Sequence, residues 1–241
     1  MIDLNLDAGE IPELLENGTE EALYRWVTSV NIACGGHAGD EESMKKAVSL
    51  AQKHGLRIGA HPSYPDRENF GRQEMKLPRE ELLASLVEQI IALEKVCSRS
   101  GVSMTHVKPH GALYNIAAKN TEVADCLIEA VKKVNKELIL VGLAGSSMIA
   151  QVKKAGLHVW QEAFADRRYE ANGALRSRSH KDALIENPSV AAAQVLLISQ
   201  DKKVQAVNGE LISVHADTIC IHGDTPNALI VAKAVRSLFK D

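Results

Sequence analysis

Residues 104–115 read MTHVKPHGALYN, and this stretch settles what kind of sheet the chain builds. A short run, MTHV, gives way to Lys108, Pro109, His110 and Gly111. An extended run that ends on polar residues at a proline and a glycine marks a strand leaving a sheet for a loop. Lys108 and His110 are two apart, so they share a strand face. The same arrangement recurs with Asp7 in LNLDAGE, His37 in NIACGGH, His61 in RIGAHP, Glu162 in HVWQEAF and His222 in ICIHGD. In a barrel of parallel strands, all such positions project onto the rim where barrel active sites are built.

On either side of this stretch, strands are expected at 2–7, 29–34, 56–61, 104–110, 138–143, 157–164 and 218–223. Helical patterns fall between them, at 19–28, after Asp40, from Pro78, and at 121–135, 146–155, 188–200 and 226–239. After Asp40, an N-cap residue, Met44, Ala47, Val48 and Ala51 recur at helical spacing, and Gly55 stops the helix. Asn208-Gly209 between alternating apolar runs predicts a type I′ β-hairpin, an insertion near 203–214. The polar, turn-rich stretch 62–78 is of the kind that is either functional or disordered, and its Tyr64 and Phe70 argue against plain disorder; a second polar loop spans 165–183. Alternating β and α elements call for a parallel sheet covered by helices. No GxGxxG follows a strand and no GxxxxGK[ST] occurs, which argues against a Rossmann domain and a phosphate loop. The expectation is an α/β fold, a seven-stranded (β/α) barrel forming one domain over residues 1–241.

Composition narrows the class. The chain has 241 residues, 45% hydrophobic and 24% charged, with a net charge of −3. That balance suits a soluble enzyme and gives no nucleic-acid footprint. No apolar run approaches the roughly 20 residues that span a bilayer, and MIDLNLDAGE is not a signal peptide, so a cytoplasmic protein is expected. Cys34, Cys97, Cys126 and Cys220 form no CxxC pair and read as reduced thiols, with Cys34 and Cys220 as small buried hydrophobes in strands.

Several rim residues carry chemistry. Asn5 and Asp7 alternate with Leu4 and Leu6 and belong inside the barrel, because an unpaired carboxylate under the helix layer is costly. Gly35 and Gly36 before His37 allow close backbone approach to a ligand. Arg67 and Arg72, after His61, suit a carboxylate or phosphate. A lysine aimed into a barrel mouth suits anion binding or oxyanion stabilisation, which singles out Lys108 with His110 and Asn115. His106 lies deeper on the same face, and Glu162 and His222 complete the ring. Two chemistries remain open. A carboxylate with two histidines, such as Asp7, His37 and His61, can hold zinc with a position left for water. The same ring can instead act as a metal-free acid/base set around a carbonyl.

Six segments, LNLDAGE, SVNIACGGHAGD, GAHPSYPDRENFGR, VKPHGALYN, EAFADRRYEANGAL and ICIHGD, together resemble the LamB/YcsF family, whose members serve in bacterial ATP-dependent 5-oxoprolinase beside B and C subunits. The likeness runs from the first strand to the last. It implies a barrel of the glycoside hydrolase/deacetylase type. It also implies cleavage of 5-oxo-L-proline (pyroglutamate) to L-glutamate coupled to ATP hydrolysis, in a complex with those B and C subunits, with homo-oligomers possible. ATP is then a co-substrate bound largely by those partners. Under this reading Asp7 with His61 or His110 supplies base and acid. Lys108 with Arg67 or Arg72 holds the carboxylate or phosphorylated oxygen, while His37 and His222 orient these groups. Asn5, Asn115 and Glu162 complete the substrate contacts. A metal-dependent deacetylase or amidohydrolase acting alone is the rival expectation.

Overall fold

The computed structural model describes residues 2–225 and 227–239. Among them, strands form at β1 (Asp3–Ala8), β2 (Ser29–Ala33), β3 (Arg57–His61), β4 (Met104–Val107), β5 (Ile139–Leu143), β6 (Val159–Phe164), β7 (Lys203–Gln205), β8 (Leu211–Ser213) and β9 (Thr218–Cys220). Seven of these, β1 to β6 and β9, close into a parallel barrel, with β9 bridging β6 and β1. β7 and β8 form a separate antiparallel hairpin. The helices are α1 (Pro12–Glu16), α2 (Thr19–Tyr24), α3 (Glu41–Lys53), α4 (Arg79–Arg99), α5 (Gly111–Ala117), α6 (Thr121–Val134), α7 (Ser147–Lys154), α8 (Pro188–Leu196) and α9 (Ala228–Ser237).

Burial explains the order. Every residue of β2 is buried, as expected for a parallel strand covered on both faces. On β1, Leu4 and Leu6 pack in the apolar core, while Asn5 and Asp7 take the alternate face and meet other barrel side chains. α3 begins with a capping box between Asp40 and Ser43, buries Met44, Ala47, Val48 and Ala51, and stops before Gly55, whose φ is +67°. Inside the barrel a glycine is required at position 59. A Cβ there would lie 2.2 Å from the His106 ring, so Gly59 makes the room in which that imidazole sits.

The structure departs from the sequence reading in several places. The helix expected over 19–28 ends at Tyr24, and a further short helix that the reading did not expect, Pro12–Glu16, precedes it across Gly18, whose φ is +81°. α5 starts at the strand end itself, with seven residues too few for a periodicity to register. β4 stops at Val107 because Pro109 has no N–H, although Lys108 and His110 still donate to the Ala60 and Pro62 carbonyls at 2.9 and 2.8 Å. The hairpin turn is not type I′. Gly209 alone in the turn has positive φ, +90°, and its N–H bonds the Ala206 carbonyl at 2.9 Å, a type I turn followed by a glycine bulge. The last helix is described from Ala228, and its expected start at Pro226 lies outside the described residues.

Candidate active site

A ladder of polar side chains fills the upper barrel. Asn5 Nδ2 donates to Glu162 Oε1 at 2.9 Å, and Asn31 Nδ2 donates to Asn5 Oδ1 at 2.9 Å and to Asp7 Oδ1 at 2.8 Å. His106 Nε2 lies 2.8 Å from Asn31 Oδ1. Lys108 Nζ sits at the centre, 2.8 Å from Asp7 Oδ1, 2.9 Å from Glu162 Oε1, 3.1 Å from Asn5 Oδ1 and 3.2 Å from Cys220 Sγ. Burial disfavours charge here, but the ion pairs outweigh it. Burial pulls the Lys108 pKa down, yet Asp7 and its neighbours raise it well above the ordinary value. Burial likewise raises Asp7, yet His61 and Lys108 hold its carboxyl well below the usual range. The pair is therefore a buried ammonium carboxylate.

Four side chains gather beside it. Glu10 Oε1 lies 2.9 Å from His37 Nε2, 3.1 Å from His110 Nδ1 and 3.6 Å from His61 Nε2. His61 Nε2 is also 3.4 Å from Asp7 Oδ2 and 3.0 Å from His110 Nδ1. The backbone holds two of the rings: His61 Nδ1 donates to the Lys108 carbonyl at 2.7 Å and His110 Nε2 to the Phe70 carbonyl at 2.9 Å. His37 stacks on His110 with centroids 3.7 Å apart. Burial lowers the His61 pKa, but Asp7 and Glu10 outweigh it and raise it, whereas burial pushes His37 down to about 4. Glu10 reaches this cluster because Gly9 turns the chain at φ +68°, and the Gly9 N–H is held by the buried Glu20 carboxylate at 3.0 Å.

The loop at 62–78 closes over the histidines. Phe70 adopts φ +55°, an uncommon conformation for a bulky residue, and its ring meets His37 and His110 edge-on. In front of the cluster lies a cavity of about 780 Å³, lined by Asp7, Glu10, His61, Lys108 and His110 and, at its outer part, by Arg72, Arg167 and Arg178.

The expected residues therefore separate. Asn5, Asp7, His37, His61, Lys108, His110 and Glu162 come together. His222 lines the cavity, clamped by Asp166 at 2.8 Å and stacked on Phe164. Arg72 and Asn115 line it further out, Arg72 paired with Asp224 at 3.0 Å and Asn115 bonded to the Gly111 carbonyl at 2.9 Å. Arg67 does not join them. It is exposed and donates to the Gly39 carbonyl, away from the cavity. The expected zinc trio of Asp7, His37 and His61 also regroups. The acid on His37 is Glu10, and Asp7 belongs to Lys108 and Asn31. Cys34 and Cys220 are buried, with burial pushing the Cys34 thiol up to about 12. Glu10 escaped the sequence reading because it lies past the strand alternation, beyond Gly9. Its signal was an acid three residues after Asp7 in the same LNLDAGE segment. Arg167, buried with Nε unpartnered, was one of several arginines in a polar loop.

Comparison with known proteins places the chain. Residues 2–241 match the LamB/YcsF family. The chain belongs to the LamB/YcsF family. It is 47% identical over 235 residues to the 5-oxoprolinase A-type subunit of Neisseria meningitidis, covering 98% of this chain and 94% of that one. The protein of the same name from Tolumonas auensis is 47% identical over 236 residues, with the same coverage. The crystal structure of a lactam utilization protein from Thermus thermophilus superposes with a TM-score of 0.89 at 41% identity, covering 98% of this chain and 94% of that one. Among the described residues, no helix is long and apolar enough to cross a membrane.

Proposed function

We propose that this LamB/YcsF chain is the lactam-opening component of an ATP-dependent 5-oxoprolinase, acting as one catalytic domain over residues 1–241 in the cytoplasm. The observation that carries the reading is the buried Lys108–Asp7 pair beside His61, facing a cavity that admits a small cyclic amide with room to spare, in a chain so close to proteins of that name. A five-membered lactam is a stable amide, so its hydrolysis needs coupling. ATP coupling would phosphorylate the carbonyl oxygen. Because the chain carries no phosphate-loop motif, nucleotide binding falls to the partner B and C subunits, and ring opening to this barrel.

The geometry suggests how. Lys108, from the buried end, and Arg72, from the outer part of the cavity, hold the substrate carboxylate or the phosphorylated oxygen as charge-assisted donors. Water attacks the activated carbon and passes its proton to Asp7. The carbon–nitrogen bond breaks as the ring nitrogen takes a proton from His61, which leaves the side-chain acyl phosphate of glutamate, and a second water hydrolyses that acyl phosphate to glutamate and inorganic phosphate. His61 suits the acid role because its raised pKa keeps the proton available near neutrality. His110 is the alternative partner at 3.0 Å. Asn5 and Glu162 fix Lys108, and His37 and His222 fix the remaining groups. The test is glutamate formation from 5-oxoproline and ATP by the purified chain, alone and with the B and C subunits. Activity only in the assembled mixture is expected. Full activity from the chain alone, or from the folded Asp7→Asn variant in the mixture, would overturn the reading.

A further inference from the structure

The cluster of Glu10, His37, His61 and His110 contains more than acid/base chemistry requires. A carbonyl oxygen only accepts, so His61 Nδ1 and His110 Nε2, each on a backbone carbonyl, must carry hydrogens. Their other nitrogens, His61 Nε2 and His110 Nδ1, face each other at 3.0 Å, so the acid proton of His61 lies on Nε2 between them, and its loss leaves two lone pairs aimed at one point. A metal cation can take the place of that proton. Glu10 Oε1 completes the triangle, 3.1 Å from one nitrogen and 3.6 Å from the other. Tetrahedral zinc with bonds of about 2.0–2.2 Å places neighbouring ligand atoms roughly 3.3–3.5 Å apart, and the three observed edges bracket that separation.

We propose that Glu10, His61 and His110 form a binding site for a divalent, zinc-type cation, with its fourth position open to the cavity. All three line that cavity and His37 does not. His37 is instead a positioning residue. Its ring is parallel to His110 within 3° at 3.7 Å, so an ion in the plane of His110 lies out of the plane of His37. It holds the ligand carboxylate at 2.9 Å, and both ligating imidazoles rest on carbonyls, the outer support that metal histidines require. Two imidazoles and one carboxylate suit zinc better than magnesium or calcium. Charge agrees: in this connected network Asp7, Glu10 and Glu162 are three carboxylates facing the single ammonium of Lys108. A second grouping, Asp7 with Cys220 and His222, is already served by that ammonium, 2.8 Å from Asp7 and 3.2 Å from Cys220 Sγ.

The test reads metal rather than turnover. Untagged protein in chelator-free buffer is titrated with zinc chloride against a chromophoric chelator, and bound zinc is counted by mass spectrometry. One equivalent per chain is expected. Glu10→Gln and His61→Ala should each lose saturable binding, His37→Ala should weaken it about 10- to 100-fold, and Asp7→Asn should keep it. Should these variants not fold, anomalous diffraction at the zinc edge from zinc-soaked crystals of the unaltered chain locates the ion directly. No saturable zinc, zinc density elsewhere, or undiminished binding by folded Glu10→Gln overturns the site. Lactam opening without zinc binding would sink this inference alone, and zinc at these atoms without lactam opening would sink only the function proposed above.

Discussion

The two ends of the barrel each carry a buried carboxylate on β1, Asp3 below and Asp7 above, and their surroundings differ. Asp3 accepts hydrogen bonds from Thr28, Ser29, Thr218 and Arg57, residues at or beside strand starts. Burial raises its pKa, but these donors outweigh it and lower it. Neither Asp3 oxygen lacks a partner. At the upper end, buried His37 Nδ1 and Arg167 Nε have no hydrogen-bond partner, and an ammonium is pressed among three side-chain oxygens and a sulfur. Buried polar groups are normally satisfied. The lower end behaves as a structural seal. The upper end leaves its polar capacity unspent and faces a cavity, the pattern expected where a ligand completes the bonding.

Lys108→Met should disturb that contrast most severely. It strands the Asp7 and Glu162 carboxylates, so glutamate formation by the assembled enzyme should fall to background. Stability in urea should drop by about 3–5 kcal/mol. An unchanged unfolding midpoint would show that the upper network is not a buried ion cluster. Asp7→Asn keeps the shape and an acceptor for Lys108 while removing the proposed base. A rate loss of about 10²- to 10⁴-fold is expected, seen in kcat with little change in the unfolding curve. Asp3→Asn probes the other end: a cost of about 1–3 kcal/mol in urea unfolding with kcat unaltered. A fall in kcat at constant stability would erase the distinction between the ends.

His106, between the two layers, adds pH to the contrast. Burial pushes its folded pKa down to about 4 from the ordinary 6.5. The unfolded chain therefore binds a proton that the folded chain refuses across that interval. Stability should decline as pH falls from 6.5 towards 4 and level off below it. His106→Gln should flatten part of this decline in thermal melts at a series of pH values. The smallest effects belong to the arginines. Arg72→Ala should raise KM for 5-oxoproline several-fold, and exposed Arg67→Ala should leave kinetics unchanged and stability within about 0.5 kcal/mol.

Much of this was legible in the chain. The capped α3, the seven barrel strands and the inward face of Asn5, Asp7, His106, Lys108 and His110 follow from period-two and helical patterning. The errors have physical sources. The five residues of α1, like the seven of α5, are too few for a periodicity to register, and Gly209 takes the only left-handed position in its turn. Arg67 and Arg72 are equivalent in a polar loop, and only the path of that loop sends one outward and the other to the cavity. Glu10 stands beyond the reach of alternation, because Gly9 redirects the chain before it.

Local pattern was enough to set the order of elements, the parallel barrel and the kinds of residue placed at its rim, because side-chain periodicity assigns each residue to a face without reference to distant segments. Which acid meets which base was decided in three dimensions. Glu10 rather than Asp7 took the histidines at positions 37 and 110, Asp7 took Lys108, and one ring nitrogen of His61 was turned towards one of His110. These pairings join residues dozens to more than a hundred positions apart. Their distances are set by barrel closure, strand register and the backbone carbonyls that fix each ring, and none of these is written in local pattern.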